Sequence, residues 1–187
     1  RDVVFVDQGV FPHNGLCERS GRSLETIVER LGELKARHPE LTVAYQLRQY
    51  PERLRWLETL VREMVAQRGG GRVDILPNED GGASYRSLAG SRLLMTFEST
   101  MGFEALRAGR KALFVNFSGD ASETLCPDPR FQLEDETADY ARFEAKVLAL
   151  LDAPLDGPPP VALERHPFID GRTQERIAAL LCGRQMA

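Results

Sequence analysis

Short apolar runs alternate with amphipathic segments along the chain, and this alternation restricts the fold more than any other feature of the sequence. The predicted strands are five runs rich in β-branched, aromatic or other apolar residues, at positions 3–6, 41–47, 73–76, 93–97 and 112–116. The segments between them place apolar residues at helical spacing. Strands that are apolar throughout are typical of a parallel sheet covered on both faces. The sequence therefore predicts an α/β domain of three layers, with a mainly parallel sheet of five or six strands and helices on both faces.

Residue types at the ends of the amphipathic segments predict where the helices begin and end. Ser23 is predicted to cap the first helix, and the His38–Pro39 step to end it, because the residue before a proline disfavours the helical conformation. Pro51 is predicted to open the second helix, and residues 69–71, all glycine, to end it. Residues 154–187 are predicted to form a Pro-rich connector and a C-terminal helix.

Composition excludes several classes of protein. A chain of 187 residues buries roughly 70% of its extended surface, enough for one core. The net charge is −4 and the basic residues are dispersed among acids, which excludes a nucleic-acid-binding surface. Three distant cysteines and three histidines lack the spacing of a disulfide framework or a metal site. No apolar run approaches the ~20 residues of a bilayer span, so we expect a cytoplasmic protein.

Candidate binding residues lie in the loops that follow the predicted strands. In an open parallel sheet, ligands bind beyond the carboxyl ends of the strands. Gly9 lies in the first of these loops, and Arg48 lies in the second, where it is either a phosphate ligand or a solvated side chain at a strand end. The sequence lacks G-x-S-x-G, G-x-x-x-x-G-K-[ST] and G-x-G-x-x-G motifs, which argues against a hydrolase, a P-loop protein and a dinucleotide oxidoreductase.

The most informative segment spans residues 96–115, which are predicted to form a strand, a Ser-Thr turn, a short helix, a glycine stop and a strand. Ser99 and Thr100 offer hydroxyls beside a helix N-terminus, as a phosphate requires. Gly102 allows close approach of the backbone to a ligand, and the Glu104 carboxylate can accept from both hydroxyls of a ribose. The alternative is structural: Ser99 and Thr100 cap the helix, and Glu104 complements its dipole.

The motif in residues 99–111, STMGFEALRAGRK, resembles the donor-binding, C-terminal domain of glycosyltransferases with the GT-B fold, most closely those of bacterial capsule and surface polysaccharides. Their pattern is Ser-Ser/Thr, x, Gly, x, Glu-Ala-Leu, x, x, Gly, Lys, and Arg110 replaces the final lysine here. The resemblance implies that residues 1–187 are a single Rossmann-like domain that binds a nucleotide-sugar. Because residue 1 is Arg rather than Met, we expect the chain to be a fragment of a two-domain enzyme.

The resemblance also implies roles for individual residues. Ser99 and Thr100 would contact the donor phosphate, and Glu104 would lie near the ribose. Asn78 lies in the loop that often reads the base, although a turn-forming role after Pro77 remains open. Tyr50 stands where several CMP-sugar enzymes have histidine, so the donor is left open as CMP-, UDP- or GDP-linked.

The activity that the resemblance implies is transfer of a sugar from a nucleotide-sugar to a bacterial surface glycan. The glycan or lipid-linked acceptor would bind the missing domain, which would also supply the catalytic base, so no catalytic residue is assigned here and we expect the isolated domain to be inactive. We expect no cofactor beyond the donor and no metal, because no DxD motif occurs. Peripheral association with the inner face of the membrane would come through the rest of the enzyme. Two alternatives remain: a sugar-nucleotide epimerase of GT-B-like fold, and a non-enzymatic α/β binding module.

Overall fold

The computed structural model describes residues 1–6, 18–80, 82–97, 99–119, 126 and 128–154. Within these residues the chain forms six strands and five α-helices, and a 3-10 turn at Glu52–Leu54 precedes the second helix. In chain order they are β1 (Val3–Val6), α1 (Glu18–Arg37), β2 (Val43–Gln46), α2 (Arg55–Arg68), β3 (Asp74–Leu76), α3 (Ala83–Gly90), β4 (Leu93–Thr96), α4 (Thr100–Arg107), β5 (Ala112–Asn116), β6 (Gln132–Glu134) and α5 (Tyr140–Asp152).

All six strands join one parallel sheet in the order β3-β2-β1-β4-β5-β6. In the central strand β1, Val4 pairs with Ala44 on one side and Leu94 on the other. The chain moves outward in one direction from β1 to β3 and in the other from β4 to β6, so the order reverses between β1 and β4. Loops at the carboxyl ends of these two strands leave a crevice in sheets of this type. The predicted α/β fold with a parallel sheet and helices on both faces is confirmed.

One face of the sheet is covered by α1, α2 and α5. Ile27 and Leu31 of α1 are fully buried there, together with Phe5 of the sheet. α1 and the end of α2 approach closely: a Cβ atom added to Gly32 would lie 2.6 Å from the carbonyl oxygen of Gly69. Glycine at position 32 therefore lets the two backbones meet.

The opposite face is covered by α3 and α4. Phe103 and Leu106 of α4 pack there against Val4, Leu94 and Phe114 of the sheet. Alternate residues of each central strand thus enter different cores, which explains why these strands are apolar throughout.

Three details differ from the sequence predictions. α1 begins at Glu18, so Ser23 lies inside the helix, and the prediction that it caps the helix is wrong. Its buried hydroxyl instead accepts a hydrogen bond of 2.9 Å from the backbone N–H of Phe117. β6 adds a strand that none of the five predicted runs covers, and α2 follows a 3-10 turn after Pro51. The predicted ends of α1 before His38 and of α2 before Gly69 are confirmed. The predicted C-terminal helix and the connector from residue 155 onward lie outside the described residues.

Candidate functional site

The turn between β4 and α4 is built from hydroxyl groups. Thr96 is fully buried at the end of β4, and its Oγ1 accepts a hydrogen bond of 3.1 Å from the backbone N–H of Ser99. Ser99 in turn caps α4, because its Oγ accepts from the backbone N–H of Met101 at 3.2 Å. The structural alternative for Ser99 is thus confirmed. The cap fixes the start of α4 next to the carboxyl end of β4, the neighbour of β1 in the sheet.

Gly102 has a packing role. A Cβ atom at this position would lie 2.8 Å from Cε1 and 2.9 Å from Cε2 of the buried Phe114 ring. The neighbouring Phe103 ring packs on the same phenyl group, with 4.7 Å between the ring centroids. Because Gly102 has no side chain, α4 can pack directly against β5. The sequence suggested a different role for this glycine, namely close approach of the backbone to a ligand.

The outer surface of α4 carries the polar groups that the sequence singled out. Thr100 and Glu104 are both exposed and lie one helical turn apart, so they share a face of the helix. Tyr85, in the first turn of α3, is 57% exposed. The negative charge of Glu104 raises the pKa of Tyr85, and partial burial and a hydrogen bond to the same carboxylate add to the effect. Glu104 therefore interacts with Tyr85 across the space between α3 and α4, and we refer to the surface that carries Tyr85, Thr100 and Glu104 as the polar notch.

Sequence reasoning missed Tyr85. It lies in a predicted helix of ordinary composition, and nothing in the order of residues along the chain relates α3 to α4. The pairing arises because both helices cover the same face of the sheet and both begin at its carboxyl edge. A search for aromatic residues in the first turn of a helix that follows a parallel strand would have found it.

The turn that leads into α3 is held by side chains. Asn78 Nδ2 donates to Ser84 Oγ at 3.3 Å, while Asn78 Oδ1 is buried and has no hydrogen-bond partner within the described part of the chain. The Asp80 carboxylate binds the Arg86 guanidinium at 2.8 and 2.9 Å and accepts from the backbone N–H of Gly82 at 3.0 Å. These hydrogen bonds, from Arg86 above all, lower the pKa of Asp80. Asn78 thus links the end of β3 to the first turn of α3.

A cavity of about 260 Å³ lies between α3 and the sheet. Its polar lining includes Gln46 and Ser87, which are hydrogen-bonded to each other at 2.5 Å. The Gln46 amide also donates to the carbonyl oxygens of Leu47, Leu76 and Pro77. Since these polar groups are engaged, the outer notch is a better candidate site than the cavity.

The remaining predicted residues lie apart from the notch or outside the described residues. Arg48 is exposed after β2, with its guanidinium carbon 5.5 Å from the centroid of the Tyr50 ring. Arg48 and the start of α4 lie on the same edge of the sheet. They follow β2 and β4, and β1 lies between these two strands. Gly9 lies outside the described residues. The structure therefore brings Glu104 near Tyr85, places Thr100 one helical turn before Glu104, and places Asn78 at the approach to α3.

Fold and strand order define the chain as a Rossmann-like α/β domain with a polar notch at the carboxyl edge of its sheet. No model of a known protein family matches the sequence, and no curated protein matches it. Within the described ranges, no group of three or more His, Cys, Asp and Glu side chains could hold a metal ion. None of the helices described has the length and apolar character needed to cross a membrane.

Proposed function

We propose that this chain is the donor-nucleotide-binding half of a GT-B-type glycosyltransferase, which transfers a sugar from a nucleotide-sugar to a bacterial surface glycan. One observation carries the proposal: the Thr100 hydroxyl and the Glu104 carboxylate share an exposed face of α4, which begins where the strand order reverses. The resemblance of residues 99–111 to the donor-binding motif of these enzymes supports it.

The start of α4 suits a phosphate group. A helix N-terminus presents free backbone N–H groups and a partial positive charge. The Thr100 hydroxyl, exposed in the first helical position, can donate to a phosphate oxygen, and the Ser99 hydroxyl lies beside it. When the bond between sugar and phosphate breaks, negative charge develops on the leaving nucleotide. Fixed donors aimed at that charge stabilise the transition state, so α4 would promote the transfer.

The Glu104 carboxylate suits the ribose of the same nucleotide. It accepts hydrogen bonds only, through two oxygens with about four lone-pair sites, and a ribose presents two adjacent hydroxyl donors. Because Glu104 lies one turn beyond Thr100, phosphate and ribose would follow the axis of α4. Asn78 would then lie toward the base, and Arg48 would offer a cation from the neighbouring strand end.

In this proposal the other half of the enzyme binds the glycan or lipid-linked acceptor, supplies the catalytic base and carries the association with the membrane. The chain alone binds nucleotide without turnover. A sugar-nucleotide epimerase would use a similar site. Assay of this domain joined to its partner domain separates the two, since release of a free epimerised sugar, rather than a glycan product, would contradict the proposal.

A thermal-shift panel of CMP, UDP, GDP and ADP tests the donor site. A ligand at 100 times its Kd stabilises the folded state by about 2.7 kcal/mol, and domains of this size gain about 2–4 °C in Tm per kcal/mol. We therefore expect one of CMP, UDP and GDP to raise Tm by roughly 5–10 °C. The Ser99→Ala, Thr100→Ala double variant should lose most of that rise.

The cap at Ser99 requires a matched control. Its removal costs about 0.5–2 kcal/mol of stability whether or not a ligand binds, so the ligand-induced rise must be compared, not Tm itself. Asp139 caps α5 in the same way, accepting from the Ala141 N–H at 2.7 Å. Asp139→Ala should lower Tm of the free protein and keep the full rise. If no nucleotide raises Tm, or if the double variant keeps the rise, the proposal is wrong.

A further inference from the structure

We propose that the free edge of β6 and the adjoining side of α5 form a docking groove for an extended, acidic segment of a partner protein, which adds to the sheet as a strand beside β6. The inference does not rest on the proposed function, because the groove lies at the β6 edge of the sheet, whereas α4 follows β4 nearer its centre.

Backbone hydrogen-bonding groups of β6 point away from the sheet. The carbonyl oxygen of Phe131 accepts a hydrogen bond of 2.8 Å from β5, and the N–H of Asp135 donates one of 3.1 Å to β5. Because successive residues of a strand present their backbone groups to opposite sides, those of Gln132 and Glu134 point outward. No other strand of the described chain pairs with this side of β6. Such an edge can pair with a strand of another chain.

A groove of about 580 Å³ lies between this edge and α5. Leu133 of β6 is buried there in the same core as Phe143 and Val147 of α5, so this side of the edge is apolar. The α5 wall is lined by Ala145 and Ala149, which are exposed and lie one helical turn apart. Because both side chains are small, a strand added beside β6 can approach α5 closely and pack its alternate side chains on apolar surface.

The polar groups on the α5 side of the groove are cationic. The Arg142 side chain is 60% exposed, and its guanidinium binds the buried Asp135 carboxylate at 3.1 Å. Lys146 donates to the carbonyl oxygen of Pro129 at 2.6 Å, and both of these residues line the groove. Among the described residues that line it, Glu134 alone is acidic, and its side chain leaves β6 on the face opposite to α5. An acidic segment therefore complements the groove.

The same charges argue against a second copy of this chain as the occupant. Two β6 edges paired antiparallel about a twofold axis would place the α5 helices of both copies on one face of the joined sheet. Arg142 and Lys146 of each copy would then face those of the other, and like charges repel. A segment that carries glutamate or aspartate on its α5 side is attracted instead.

The test is fluorescence anisotropy with the labelled peptide Thr-Val-Thr-Glu-Thr-Glu-Thr-Val-Thr, whose valines and glutamates share one face of an extended strand. We expect the wild-type chain to bind this acidic peptide. Replacement of both glutamates by lysine should weaken binding by about tenfold or more, because the charges then repel. Replacement of the inner threonines by proline should weaken it by a similar factor, because proline lacks the N–H group and disfavours strand pairing.

Variants of the chain locate the binding. Ala145→Glu fills the groove and adds a negative charge, so we expect no detectable binding and little change in Tm, because Ala145 is exposed. Ala66→Glu on α2 makes the same change in charge at another exposed helical position and should keep the full affinity. Lys146→Gln should weaken binding by a factor of about two to five. Lys35→Gln is its control, because Lys35 also donates to a backbone carbonyl, that of Pro39 at 2.6 Å, and it should leave binding unchanged.

Several results would overturn the proposal. Failure of the acidic peptide to bind, or equal binding by Ala145→Glu and wild type, would show that the groove does not dock a strand. Equal affinity for the lysine peptide would show that the groove does not select an acidic segment. If ultracentrifugation shows a dimer that Ala145→Glu dissociates, a second copy occupies the groove and the partner segment is wrong. The rise in Tm with nucleotide tests the proposed function separately, so the two can fail independently.

Discussion

Substitution of Gly102 by alanine tests whether this glycine serves packing. In an exposed helix the change alone stabilises the protein by about 0.5–1 kcal/mol, since alanine is the better helix former. Here the new methyl group would lie 2.8 and 2.9 Å from two carbons of the Phe114 ring, closer than such atoms can approach. Phe114 is almost fully buried and packs on Phe103, so neither ring can move away freely.

The magnitude follows from these two opposing terms. Overpacking a well-filled core costs about 1–3 kcal/mol. After subtraction of the helix gain, we expect Gly102→Ala to lose about 1–2 kcal/mol of unfolding free energy, with Tm lower by roughly 2–8 °C. Urea denaturation of the free domain measures the loss. Gly90→Ala is the control. Gly90 ends α3, and a Cβ atom there would meet nothing within 4 Å. The stability of the Gly90→Ala protein should therefore equal or exceed that of the wild type.

A double-mutant cycle identifies the neighbour responsible. In the wild-type background, Phe114→Leu shortens the side chain and leaves a gap. It should therefore lower the free energy of unfolding by less when alanine occupies position 102. The coupling between contacting residues is about 0.5–3 kcal/mol. Equal stability of Gly102→Ala and wild type, or additive effects in the cycle, would refute the packing role and favour the ligand-binding role that the sequence suggested.

Two further predictions concern residues away from the notch. Ser23→Ala leaves the buried N–H of Phe117 without its acceptor, so we expect a loss of about 1–3 kcal/mol in urea denaturation, and a loss below 0.5 kcal/mol would contradict this role. Partial burial tends to raise the pKa of Asp2, but hydrogen bonds from Thr42 and Arg92 outweigh it and lower the pKa from 3.8 to about 2. Because the folded state holds this carboxyl ionised, its contribution is complete above about pH 4 and is lost as the pH falls toward 2. Between about pH 4 and pH 2, the Asp2→Asn protein should therefore lose less unfolding free energy than the wild type, as measured by denaturation at each pH. Parallel curves of unfolding free energy against pH for the two proteins would contradict the prediction.

The fold could be predicted because the central strands carry their signal locally. β1, β2, β4 and β5 are buried on both faces, so each appears in the sequence as an apolar run. β6 lies at the edge of the sheet and buries only Leu133 of its three residues, so no apolar run marks it. Strand prediction therefore succeeded for the four central strands and for the edge strand β3, whose run at 73–76 is mostly apolar, and failed for the edge strand β6.

The site could be predicted only where a role depends on neighbours in the chain. The cap at Ser99 binds an N–H two residues away, and sequence spacing suffices to predict it. Ser23 binds an N–H 94 residues away, Gly102 makes room for a ring of the next strand, and Tyr85 meets a helix formed later in the chain. These three roles depend on how helices lie on the sheet, which residue spacing alone does not specify.

Hydrogen–deuterium exchange with and without nucleotide is the sharpest test of the proposed donor site, because it reports where a nucleotide binds. The domain is mixed with CMP, UDP or GDP, whichever raises Tm, and exchange is followed in peptides that cover residues 99–104 and 140–152. A nucleotide bound at the proposed site should slow exchange at the start of α4, residues 99–104, and should leave α5 unchanged beyond the effect of global stabilisation. Unchanged exchange in residues 99–104 while a bound nucleotide protects other parts of the chain would contradict it.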